Sequence, residues 1–131
     1  MKRLLALWVL GSLAQGEGPG RVSRAVLSAS RGGSDARAFP ASLEKLWLRL
    51  ELEGVPPDTL LTCAFLAEKT QAVPPERELE RARLEVGGLI NRVTYKLSRP
   101  PQGWSPGVYR VEVYLGGGQA PTLQIRFRIV L

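Results

Sequence analysis

The sequence predicts an all-β fold: a sandwich of seven antiparallel strands following an N-terminal signal peptide. Three observations predict it. Short runs alternate apolar and polar residues with a period of two, the signature of half-buried strands. Glycine and proline clusters separate these runs at the spacing of a sandwich. Clearest is the run 103–115, where Ser105-Pro106-Gly107 launches a strand with Tyr109, Val111, Val113 and Leu115 on one face and Arg110, Glu112 and Tyr114 on the other.

The N-terminal segment is read as an address. Lys2 and Arg3 precede an apolar run from Leu4 to Leu10, and Ser12-Leu13-Ala14 supplies a small-x-small cleavage site. The run is too short to span a bilayer, which takes about 20 residues. The expected organisation is therefore a signal peptide over 1–14, a short linker over 15–20 and one domain over 21–131. No second long apolar stretch follows, so the mature chain is expected to lack a transmembrane segment and to reside in the periplasm or outside the cell. Without Lys2 and Arg3 the chain keeps 16 basic against 12 acidic residues, too mild an excess for a dedicated nucleic-acid binder. Cys63 is the only cysteine, so no intramolecular disulfide can form. Its apolar neighbours, Leu60 to Leu66, suit a buried small hydrophobe.

The elements follow in order. Residues 21–30 form a first strand, and Phe39-Pro40 leads into a second over 45–53. There Leu46, Leu48, Leu50 and Leu52 face the core, while Trp47, Arg49, Glu51 and Glu53 face out. Strict alternation outweighs the helix propensity of leucine. Trp47 on an outward face belongs either beneath a loop or in an interface. After the turn 54–58, residues 59–67 are apolar on both faces and read as a central strand. Residues 76–86 have a helical composition, with Pro74-Pro75 ahead and Glu/Arg neighbours at helical spacing. Their alternation of Ala82, Leu84 and Val86 with Arg81, Arg83 and Glu85 favours a strand. Residues 89–97 place Val93, Tyr95 and Leu97 inward. The sixth strand is the 103–115 run, and after the loop 116–121 a seventh over 123–131 turns Leu123, Ile125, Phe127, Ile129 and Leu131 inward.

Four stretches together resemble a family. These are Phe39-Pro40, Gly54-Val55-Pro56-Pro57-Asp58-Thr59, Leu97-Ser98-Arg99-Pro100-Pro101, and Gly103-Trp104-Ser105-Pro106-Gly107-Val108-Tyr109-Arg110-Val111-Glu112-Val113-Tyr114, with Phe127-Arg128-Ile129 at the close. In this order they resemble an exported, immunoglobulin-like module of bacterial proteins, often uncharacterised. The resemblance implies an immunoglobulin-like sandwich and an extracytoplasmic location, and it implies no catalytic residue. Tyr109 then matches the tyrosine corner of such sandwiches. Val111 stands where immunoglobulin domains carry their second bridging cysteine.

Chemistry is sparse. With no histidine in the chain, serine–histidine and cysteine–histidine nucleophiles lack their base. Carboxylate groups such as Glu51/Glu53 and Glu76/Glu78/Glu80 lie on outward faces or in loops, where raised pKa values are not expected. No spacing suits a metal or cofactor, and the glycine runs lack the lysine of a phosphate loop. The expectation is a non-enzymatic module for interaction or envelope assembly, with another envelope or extracellular protein as partner. The alternative is a binder of an anionic envelope polymer. It would use a basic strand face of Arg92, Lys96, Arg110, Tyr114, Arg126 and Arg128, provided these strands share a sheet. Three residues carry structural expectations: Trp104 as a plug over the end of the core, Gly107 in the turn and Tyr109 at the corner.

Overall fold

The computed structural model describes residues 20–131. The expected signal peptide, and the linker up to its last residue, lie outside the described residues. Within them the chain forms eight strands and no helix: β1 (Arg21–Ser28), β2 (Ala38–Pro40), β3 (Lys45–Glu53), β4 (Thr59–Thr70), β5 (Arg77–Val86), β6 (Arg92–Ser98), β7 (Gly107–Leu115) and β8 (Leu123–Val130). They make two sheets, one of order β1-β3-β6 and the other of order β2-β8-β7-β4-β5.

The count is eight where seven were expected. The additional strand, β2, pairs in parallel with the end of β8, Phe39 opposite Ile129. It has three residues, and Pro40 lacks the N–H a longer ladder would need, which suits the edge it occupies. Every other pairing is antiparallel.

Residues 77–86 resolve as strand, with Glu76 in the turn before it. β5 pairs with β4 from Thr59 opposite Val86 to Ala67 opposite Arg77, with a register shift after Phe65. Alternation wins over composition because Leu84, Ala82 and Glu80 all turn toward the opposite sheet. Leu89, expected to open a strand, sits instead at a turn tip, fully exposed. Gly87 and Ile90 exchange backbone hydrogen bonds of 2.8 and 3.0 Å across this turn. Gly87 has φ of 104°, and a Cβ there would sit 1.7 Å from the Pro56 carbonyl oxygen, so only glycine fits.

The core lies between the sheets, from Leu46, Leu48 and Leu50 on β3 across to Phe65, Val111 and Phe127. Strand β4 is central in its sheet, flanked by β7 and β5, which accounts for its apolar residues on both faces. Cys63 is buried within it, and its thiol is pushed up to about 12 by burial. Leu131, expected inward, is almost wholly exposed because β8 ends at Val130.

Candidate functional site

The six residues of the anticipated basic face fall on two sheets. Arg92 and Lys96 stand on β6, in the three-stranded sheet, while Arg110 and Tyr114 on β7 and Arg126 and Arg128 on β8 belong to the other. No single surface carries all six. The division follows from a crossover between sheets after β5 and again after β6, of the kind immunoglobulin sandwiches make between some consecutive strands.

Arg110 is also not an exposed cation. Its side chain lies on the outer face of the five-stranded sheet yet is 8% exposed. The Nε donates to Glu112 Oε2 at 2.9 Å, Nη1 to Glu68 Oε1 at 2.8 Å and Nη2 to Glu76 Oε1 at 2.6 Å. Arg126 donates to the same Glu68 oxygen at 2.9 Å. Tyr114 donates its hydroxyl to Glu112 at 2.7 Å and lies under the Arg81 guanidinium. Hydrogen bonds from Arg110 hold the Glu68 and Glu76 carboxyls below the usual carboxylate range, and Arg81 does the same for Glu78. Tyr114 is pushed up, mainly by its bond to the Glu112 carboxylate. The face is a neutralised network. Glu112 shares the outward face of its strand with Arg110 in the sequence, but Glu68 was not singled out and Glu76 was not linked to Arg110, because the β4–β7 pairing and the loop that bring them there are not written in any local pattern.

This network fixes a loop. Glu76 has φ of 58°, in the left-handed region that costs a non-glycine residue about 1 kcal/mol or more. The Arg110 fork and a backbone bond from Glu76 N to Glu68 O at 3.1 Å hold it there. The loop 71–76 is tied in turn to the loop 99–106: Gln71 N–H donates to Pro106 O at 3.2 Å and Ala72 N–H to Ser105 Oγ at 3.0 Å.

Beneath these loops the end of the core is closed by aromatics. Trp104 is buried and donates its indole N–H to Leu43 O at 2.7 Å. Tyr109 donates its hydroxyl to Ser105 O at 2.6 Å, four residues upstream, in the geometry of a tyrosine corner. The two rings meet edge to face at 5.5 Å, and Tyr109 stacks on Phe127 at 5.3 Å. Gly107 lets β7 pass close to β4. A Cβ there would lie 2.4 Å from Lys69 O and 2.6 Å from Thr70 Cα.

Between the two loops and the free edges of β5 and β6 lies a cleft of about 930 Å³. Val73, Leu79, Trp104 and Tyr109 give it an apolar floor, Pro74, Pro100 and Pro101 stiffen its walls, and Gln102, Arg77 and Arg99 give it a polar rim. Its size is that of a ligand cleft. Strand β5 is terminal in its sheet, so its backbone presents unpaired groups along one edge. Chemically the cleft can bind. The carboxylates Glu78 and Glu80 line it, but Glu78 is paired with Arg81 and Glu80 accepts a hydrogen bond from the Tyr95 hydroxyl. Among the described residues no three of Cys, Asp or Glu converge to hold a metal ion.

Trp47, left open between a loop and an interface, is half-buried on the outer face of the three-stranded sheet. The Arg31 guanidinium, from the loop after β1, and the Lys96 ammonium lie 5.9 and 5.8 Å from its ring centre.

No protein-family model matches the chain, and no curated protein matches it either. Among solved structures it is similar to an immunoglobulin-like protein from Pseudomonas aeruginosa, at 18% identity and a TM-score of 0.61, over 87% of this chain and 98% of that one. It is also similar to part of a β-glucosidase from Listeria innocua, at 13% identity and a TM-score of 0.50, over 81% of this chain and 16% of the enzyme. At these identities the likeness is one of fold, and with the two-sheet topology it gives the chain its class: an immunoglobulin-like β-sandwich.

Proposed function

We propose that the chain is an exported, non-enzymatic interaction module that receives an extended segment of another envelope or extracellular protein in the cleft above Trp104. The observation that carries this reading is the cleft itself, framed by two cross-bonded loops and opening on the free edge of β5. An extended peptide can add to such an edge through backbone hydrogen bonds while its side chains enter the apolar floor. Preorganised walls lower the entropy lost on binding.

A binding role is favoured over catalysis by the state of the reactive groups. Cys63 is buried with its thiol pushed up to about 12, and Glu68, Glu76 and Glu78 are held ionised by arginines, which makes them poor proton donors near neutrality. Export rests on the pattern of Lys2-Arg3, the apolar run and Ser12-Leu13-Ala14, and predicts a mature protein whose sequencing begins at Gln15.

The test is co-purification from the native envelope with Leu79→Asp, which charges the cleft floor, beside Gln124→Asp on the outer sheet face. The partner should be lost from the first variant and retained by the second, with both keeping the far-UV spectrum of the parent. Loss from neither, or the absence of any partner with the parent chain, overturns the reading.

A further inference from the structure

The excess positive charge of the described residues is not spread over the molecule. On the outer face of the β1-β3-β6 sheet, Lys45, Arg49, Glu51 and Glu53 share one side of β3 with Trp47. Lys96 stands opposite Trp47, Arg92 opposite Glu51 on one flank, and Arg24 opposite Glu51 and Arg21 opposite Glu53 on the other. Arg31 reaches over from the neighbouring loop to Trp47. Seven cations therefore share this face with two carboxylates, an excess of five. The rest of residues 20–131 carries nine cations and nine carboxylates, so the whole of their net charge sits here.

The charges are also largely unneutralised. The ion pairs among the described residues leave out Arg31, Lys45, Arg49, Arg92 and Lys96, and Arg24 meets Glu51 only at 3.8 Å. Arg49 donates to Gly33 O at 2.5 Å, and its Nε finds no acceptor. Arg24, Arg49 and Arg92 line one hollow of about 220 Å³ together with Thr94. On the opposite sheet Arg81, Arg110 and Arg126 are absorbed by Glu68, Glu76, Glu78 and Glu112, while Arg77, Arg83 and Arg128 enter no ion pair among the described residues. A soluble strand face ordinarily mixes both signs. That of the three-stranded sheet is weighted to one.

We infer that the outer face of the three-stranded sheet is a second binding surface, for a linear anionic polysaccharide bearing carboxylate or sulfate groups. The patch runs ~20 Å along β3 and ~10 Å across the three strands, a track for several successive charges of an extended polymer. Arginine forks and the Thr94 hydroxyl suit carboxylate or sulfate with neighbouring sugar hydroxyls. Nucleic acid fits less well. The sheet offers no helix or ribbon to enter a groove, and Trp47 already meets two cations rather than standing free to stack on bases.

The experiment measures binding of the chain at low salt to heparin, to alginate and to single-stranded DNA. It compares Arg24→Gln/Arg92→Gln/Lys96→Gln with Arg83→Gln/Arg126→Gln/Arg128→Gln, which removes as much charge from the other sheet. All six side chains are exposed, and unchanged melting verifies folding. The first variant should lose roughly ten-fold or more in affinity for either polysaccharide, with a shallower salt dependence, and the second less than about two-fold. Equal losses would reduce the effect to net charge and overturn the inference. So would tighter binding of DNA than of both polysaccharides, or failure of the parent chain to bind either one.

Discussion

Single side chains close the end of the sandwich, and each makes a separable contribution. Tyr109→Phe removes only the hydroxyl that reaches Ser105 O, so unfolding should show a loss of about 1 kcal/mol with the rings still packed. Trp104→Ala removes both the bond to Leu43 O and a buried ring, and about 3 kcal/mol should be lost. An unchanged melting temperature would move Trp104 to a surface role. At Cys63 the raised thiol pKa has a directional consequence. The unfolded thiol ionises near 8.5 while the folded one stays protonated, so this contribution is complete below that pH and declines as pH rises toward about 12. Labelling by a thiol reagent should therefore occur only at the rate of unfolding, and rapid labelling of the native chain would contradict the burial. Trp104 and Tyr109 were legible because a Gly-Trp-Ser-Pro-Gly-x-Tyr run constrains its own path. Arg110 was not. Alternation places it outward beside Glu112, correctly, but says nothing of two further carboxylates arriving from β4 and the 71–76 loop.

Among the elements, the ladder from β4 through β7 to β8 carries the loop that walls the cleft. Arg110→Met should leave Glu68, Glu76 and Glu112 facing one another without their common partner. We expect a loss of about 2 kcal/mol, below the range of fully buried pairs because Glu76 is more than half exposed. Amide exchange should quicken in residues 71–76 ahead of the core strands, which uniform destabilisation would not produce. The carboxyl pKa values of Glu68 and Glu76 are depressed in the folded chain, so their contribution is present above about 4.3 and is lost as pH falls through the folded values. The difference between the parent and Arg110→Met should accordingly shrink in acid, and a gap that persists there would contradict the charge argument. Strand positions and facing were mostly readable, since a period of two survives even the helical composition of β5. Sheet membership was less so. Strand β6 alternates like β7, yet it hydrogen-bonds to β3, and that single assignment moves Arg92 and Lys96 to the opposite side of the molecule.

For the whole molecule, the separation of surfaces is the main result. A cleft opens between the β5 and β6 edges, a neutralised network covers one sheet, and the net positive charge gathers on the other. The fold class followed from the sequence because punctuation and alternation agree along its length. The cleft did not, since it is built by two loops more than 20 residues apart that hydrogen-bond to each other through Gln71, Ala72, Ser105 and Pro106. The account stands on that cleft as the place of protein contact. The most direct test installs a photo-crosslinking residue at Gln102, on its rim, and for comparison at Gln124, on the face of β8, in the native host. The account predicts a discrete protein adduct from position 102, mapping to an extended segment of one partner, and none from 124. The same adduct from both positions, or none from 102, would contradict it.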